Sequence, residues 1–255
     1  MFTFLTNLWH GYLIKQSTIS HEKWLQAYAH LPLLETLSDN EKSKLRKLAI
    51  VFLHKKIFVG AHDFVVTEYM TLIVALQACL PILHLNIGWY DGWQTIVMYP
   101  EGFMPSRDET DQYGIVHQGS SHLSGEAWLR GPVVLSWKDS QHAGQIDGEN
   151  LVIHEFAHKL DMRNGVANGF PPLHRSMDVA KWSSVFSHAY GHFTKAVNSG
   201  VEMDINHYAA TSPAEFFAVL SEVFFERPEL VQRIYPDVYN KLRKFYRQDR
   251  AITSL

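Results

Sequence analysis

The stretch that decides the fold is Glu149-Asn150-Leu151-Val152-Ile153-His154-Glu155-Phe156-Ala157-His158-Lys159-Leu160-Asp161-Met162. It reads as a helix, set off by a break at Gly144 to Gly148, with Asp147 expected as its cap. On a helix, positions i and i+4 lie one turn apart on one face, so the imidazoles of His154 and His158 can reach a single ion. Glu155 stands about 100° further round the axis. It can touch a water on that ion but is badly placed to be a ligand on the same face. Two nitrogens that hold a metal, and a carboxylate that takes a proton from water, form the division of labour that metal-assisted hydrolysis needs. With 15 His in 255 residues, chance yields about 0.05 such strings. The setting adds weight. Two histidines and a glutamate among Leu151, Val152, Ile153, Phe156 and Leu160 must be satisfied, and a metal does this for all three.

A catalytic zinc takes a third protein ligand and leaves the fourth position to water. Asp161 and Asn164 stand where the metzincin pattern requires Gly and then His or Asp, which excludes that family. The third ligand is therefore sought downstream. Ser212-Pro213 opens a segment, through Phe225, that is apolar almost all round and carries Glu215 and Glu222 two turns apart on one face. A carboxylate in so apolar a helix needs a partner, and on spacing either one can meet the zinc. Asp161, three residues after His158, either accepts an imidazole N–H or is a solvated carboxylate near a helix end. His188 and His192 are also four apart, but no acid lies between them; they read as structural or surface residues.

Outward from these segments the chain alternates in character. Ser20 is expected to cap a helix from Glu22 to Ala29, and Ser38-Asp39-Asn40-Glu41 to open another through Phe52. Thr71 to Leu80 reads as a buried helix stopped by Pro81. Strands are expected at Leu83–Trp89, Gln94–Tyr99 and Val133–Trp137, with residues 101–125 a loop holding one short strand. Gly131 to Trp137 reads either as an edge strand that an extended peptide can pair with, or as an ordinary core strand. Helices flanking a small sheet make an α+β protein. Residues 1–255 read as one domain, with a helical part over 1–80 and a core with C-terminal helices over 81–255.

Composition narrows the function. At 46% hydrophobic and 19% charged, the chain is too apolar for disorder. A net charge of −3 without a basic run argues against direct nucleic-acid binding. No window is long and apolar enough for a membrane span, so no membrane role is expected. The lone Cys79 cannot form an internal disulfide and reads as a buried hydrophobe. The apolar start, Met1 to Leu13, has no leading Lys or Arg, so it is expected to dock on the protein's own surface rather than act as a signal peptide. The expected location is cytoplasmic.

His154 to Gly165, with Tyr208-Ala209-Ala210-Thr211-Ser212-Pro213-Ala214-Glu215 through Glu222, resembles the Mlc titration factor A family of bacterial zinc peptidases. The likeness continues through Trp89-Tyr90-Asp91-Gly92, Gly131 to Trp137, and Phe224-Phe225 with Pro228-Glu229-Leu230. The resemblance implies a mainly helical zincin-like metallopeptidase core with a small mixed β-sheet, similar to that of anthrax lethal factor. That core is a gluzincin with a glutamate as third ligand. It selects His154, His158 and Glu215 as ligands of one Zn²⁺ per chain, and puts Glu222 behind them. It makes Glu155 the general base and then acid, and Tyr208, seven residues before Glu215, the oxyanion donor. It further implies aminopeptidase-like hydrolysis of a peptide substrate and a regulatory link to a transcriptional repressor of sugar-uptake genes. The alternative is a non-catalytic protein that binds and sequesters such a repressor. What binds the substrate's amino group is open; Glu126 is a candidate.

Overall fold

The structure, a computed structural model, describes residues 2–101, 125–127 and 131–251, with side chains outside 2–7 and 125–127. The first third is helical: α1 (Phe2–Gln16), α2 (His21–Ala29), α3 (Asp39–Lys55) and α4 (Glu68–Cys79). The caps follow from short polar side chains that satisfy first-turn amides. Ser20 accepts from the Lys23 amide, and Ser38 with Glu41 closes a reciprocal capping box on α3. Thr67 caps α4, so that helix begins three residues before the expected Thr71. α1 lies against α3 with Leu13 buried, as expected of the apolar N-terminus. Cys79 is fully buried.

The sheet is small and mixed. β1 (Ile57–Gly60), β2 (Thr95–Tyr99), β3 (Gly125–Ala127) and β4 (Val133–Ser136) stand in the order β1-β2-β4-β3. β1, β2 and β4 are parallel, with Ile57 opposite Thr95 and Ile96 opposite Val133, while β3 runs antiparallel to β4. Two expectations are corrected here, and one open reading is decided. Leu83–Trp89 is not a strand: it turns into a short 3₁₀ helix, Ile87–Tyr90, where the Asn86 side chain accepts from the Gly88 amide. A short apolar run does not by itself distinguish the two. β4 is an interior strand, buried at every residue, and β3 forms that edge of the sheet. Trp137 does not extend β4; it opens α5 (Trp137–His142), with Ser136 as its cap. β1 had no counterpart in the sequence reading, because four residues after a helix carry too little periodicity. The loop expected at 101–125 lies, for residues 102–124, outside the described residues.

The remaining helices are α6 (Leu151–Asp161), α7 (Val179–Asn198), α8 (Pro213–Glu226), α9 (Pro228–Ile234) and α10 (Pro236–Tyr246). Pro213, Pro228 and Pro236 each occupy a first helical turn, where the missing N–H costs nothing. One hydrophobic cluster runs from Trp24 to Tyr246. Within it α6 packs on α8, on α4 and against the sheet strands β3 and β4. The centre of the molecule is therefore a helix pair, α6 and α8, both carrying ionisable residues.

Candidate metal centre

α6 starts where the chain leaves a run of turns, and its cap is Asn150 rather than Asp147. The Asn150 side chain accepts from the Ile153 amide at 2.9 Å, while Asp147 serves the Glu149 amide one turn earlier. Both are good capping residues; the cap belongs to whichever sits next to the first helical residue. The helix that follows is buried over Val152–Asp161, and its interior face holds His154, Glu155 and His158. Phe156 anchors the opposite side against Phe52, Tyr90 and Trp93.

α8 supplies the counterpart. Ser212 caps it, and Glu215 lies in its first turn. Glu215 Oε2 stands 2.9 Å from His154 Nε2 and 3.2 Å from His158 Nε2, and the two Nε2 atoms are 3.1 Å apart. Among the described residues, His154, His158 and Glu215 are the group of acids and histidines able to hold a metal ion. Glu222 approaches from behind: its Oε1 is 2.7 Å from His154 Nδ1, and its Oε2 accepts from the Asn150 amide. Spacing alone could not rank the two glutamates. The fold puts Glu215 at both imidazoles and Glu222 at the far nitrogen of one.

The donor set fits a divalent cation. With the His154 Nδ1–H donated to Glu222, the neutral ring presents a lone pair at Nε2, directly opposite a carboxylate oxygen and a second imidazole nitrogen. Three lone pairs facing one another repel unless a proton or a cation lies between them. Donors held about 2.0–2.1 Å from a tetrahedral zinc are about 3.3 Å apart, close to the observed spacings. The electrostatics describe a site that draws positive charge, which a proton supplies where no metal is bound. Burial pushes the Glu215 carboxyl up, but the hydrogen bonds and charge of the two histidines hold it at about 2. Burial pulls His154 down, and the charge of Glu222 with the Glu215 hydrogen bond lifts it well above its usual value.

The other expected site residues are distributed as follows. Glu155 is 3% exposed on α6. Tyr208 lies on a 3₁₀ helix, His207–Ala210, that packs on α8; its ring centroid is 6.0 Å from that of His154 and it is half-exposed. Asn206 fixes that turn by accepting from the Tyr208 amide and donating to Glu149. Asp161 does not hydrogen-bond His158. Its Oδ2 accepts from the Asn168 and Gly169 amides, each at 2.7 Å, because the chain after α6 curls back over it. His158 Nδ1 is buried without a hydrogen-bond partner. His192 meets the Tyr235 hydroxyl at 3.0 Å, and with His188 it lines a separate surface cavity of about 360 Å³. The Glu126 side chain is outside the described residues.

Several residues around the centre were not picked out from the sequence. Lys159 donates to the Gly131 carbonyl at 2.9 Å, tying α6 to the lead-in of β4, and burial lowers its pKa to about 8. Lys56, lowered to about 7 by burial, donates to Tyr90 and Trp93 carbonyls and lies 3.5 Å over the Trp93 ring. Glu226 is buried one turn beyond Glu222. Its signal was present: positions 215, 222 and 226 share one helical face of an apolar helix.

The family described as glucose-regulated metallo-peptidase M90 matches the chain over residues 6–247. Two relatives named Mlc titration factor A are similar over most of their length. They come from Yersinia pestis (strain Pestoides F) and Yersinia pseudotuberculosis serotype O:1b (strain IP 31758). Each is 42% identical over 230 residues, covering 89% of this chain and 84% of the relative. With that coverage and a His–His–Glu cluster at its centre, this chain belongs to the glucose-regulated metallopeptidase M90 family.

Proposed function

We propose that the chain is a zinc-dependent, aminopeptidase-like peptidase. One observation carries the reading: Glu215 Oε2, His154 Nε2 and His158 Nε2 converge to 2.9–3.2 Å of one another on two buried helices. A bound Zn²⁺ supplies Lewis acidity, making water a nucleophile near neutral pH and polarising the scissile carbonyl. His154, His158 and Glu215 hold it. Glu222 orients the His154 ring by accepting the hydrogen bond of its Nδ1–H, which leaves Nε2 free to ligate. The Glu155 carboxylate, beside His154 on α6, takes the proton from the attacking water and delivers it to the departing amine. The Tyr208 hydroxyl donates to the carbonyl oxygen as it gains negative charge. Lost peptide hydrolysis in Glu155→Gln, with one zinc per chain retained, supports this reading; full activity in that variant overturns it.

The relatives' name, Mlc titration factor A, and the family's description as glucose-regulated support a second role. In it the protein binds a transcriptional repressor of sugar-uptake genes in the cytoplasm. Capture of such a repressor by Glu155→Gln, undiminished from the natural chain, makes binding independent of hydrolysis.

A further inference from the structure

Glu226 sits at the end of an apolar helix, 5% exposed, yet each of its oxygens is engaged. Oε1 accepts from the Gly144 amide at 2.9 Å and from Asn150 Nδ2 at 2.8 Å; Oε2 accepts from the Gly148 amide at 3.0 Å. Asn150, in turn, is fully spent. Its Oδ1 caps α6, its second Nδ2 proton goes to Gln77 Oε1 on α4 at 2.9 Å, and its amide donates to Glu222. Glu222 then meets His154 Nδ1. An unbroken buried chain of hydrogen bonds therefore runs Glu226–Asn150–Glu222–His154.

Apolar packing brings α6 and α8 together but fixes their register less sharply than directional contacts do, since the hydrophobic effect is non-directional. Hydrogen bonds are directional, and buried ones in a connected network set a single arrangement. A ligand set loses affinity once its rings stray by about 0.5 Å or 10–20°. Building on the metal-centre reading above, we infer that Glu226 and Asn150 form a positioning clamp. It sets the register of α6 on α8, and through Glu222 it aims the His154 imidazole at the metal. Neither residue touches the substrate or the metal; both act through Glu222.

The test is zinc affinity, measured with Zn²⁺ and a competing chelator, on Glu226→Gln and Asn150→Ser. The first turns an N–H toward an amide that needs an acceptor. The second keeps a capping oxygen but removes both Nδ2 protons. Leu242→Ala, a cavity variant at a buried position of α10, controls for lost stability. We expect each clamp variant to bind Zn²⁺ about ten-fold more weakly. We also expect the visible spectrum of bound Co²⁺ to shift, with Leu242→Ala unchanged in both. Affinity within two-fold of the natural chain in a folded clamp variant overturns the clamp, as does an equal loss in Leu242→Ala. If either clamp variant fails to fold, the other decides. A natural chain that takes up no zinc overturns the metal reading and the clamp together.

Discussion

A single imidazole, that of His154, is held between two carboxylates of one helix: Glu222 Oε1 lies 2.7 Å from its Nδ1 and Glu215 Oε2 lies 2.9 Å from its Nε2. Seven residues, two helical turns, separate the glutamates, so α8 runs past the ring and offers it one acid on each side. The two acids do different work. Under the proposed function, one fixes the tautomer and the other completes the ligand set.

Glu222→Gln tests that division. The amide can still accept from His154 Nδ1 but gives up the negative charge that strengthens the bond. It also turns an N–H toward the Asn150 amide. Zinc affinity is expected to fall about 10- to 100-fold, the range typical for loss of an acid behind a histidine ligand. Glu215→Ala is expected to lose stoichiometric zinc altogether. Elemental analysis and chelator competition on the pair check both.

Tyr208→Phe separates chemistry from binding. The ring is half-exposed and packs 6.0 Å from His154, so removing only the hydroxyl leaves no cavity. If the phenol stabilises developing charge, kcat drops about 100-fold, near 3 kcal/mol, with KM changed by no more than a few-fold. An unchanged kcat assigns the tyrosine to packing.

Glu226 makes stability depend on pH. Burial, opposed by the Asn150 and Gly148 hydrogen bonds, raises its pKa from 4.5 to about 7. A carboxyl whose folded pKa is raised stabilises the fold fully below its unfolded pKa. That contribution is lost as pH climbs through the folded one. In the zinc-free protein, the stability of the natural chain relative to Glu226→Gln should fall by about 3 kcal/mol between pH 4.5 and pH 7. Urea melts at several pH values measure this, and a constant difference across the window contradicts it.

Gly169→Ala probes the seam between the end of α6 and the start of α8. Gly169 has φ +76° and donates its amide to Asp161, and a Cβ there would lie 2.4 Å from the Pro213 carbonyl oxygen. A left-handed backbone and a backbone clash together are expected to cost about 2–3 kcal/mol, read as a lower urea midpoint at unchanged m.

Much of the fold was legible because its signals are local. Ser20 and Ser38 announced their helices, Ser212-Pro213 opened α8, and the apolar run from Gln94 to Tyr99, closed by Pro100, marked a strand. Failures fell where local signals tie or are brief. Ile87 to Tyr90 is too short to separate strand from 3₁₀ turn, and Asp147 and Asn150 are equally good caps. Asp161 has the right spacing to serve His158, but the backbone at Asn168 and Gly169 reaches it instead.

The sequence by itself determined that two histidines share a face, that Glu155 stands beside them, and that an apolar helix further on carries acids in phase with one another. Those are consequences of 3.6 residues per turn and need no knowledge of the rest of the chain. Only the tertiary structure decided which acid faces which nitrogen, that β4 is interior, and that Asn150 is shared among three helices. The reason is physical. Periodicity sets the direction of a side chain about its own axis, whereas its partner depends on how far one helix has slid along another. That displacement is set by packing and hydrogen bonds between residues some seventy positions apart.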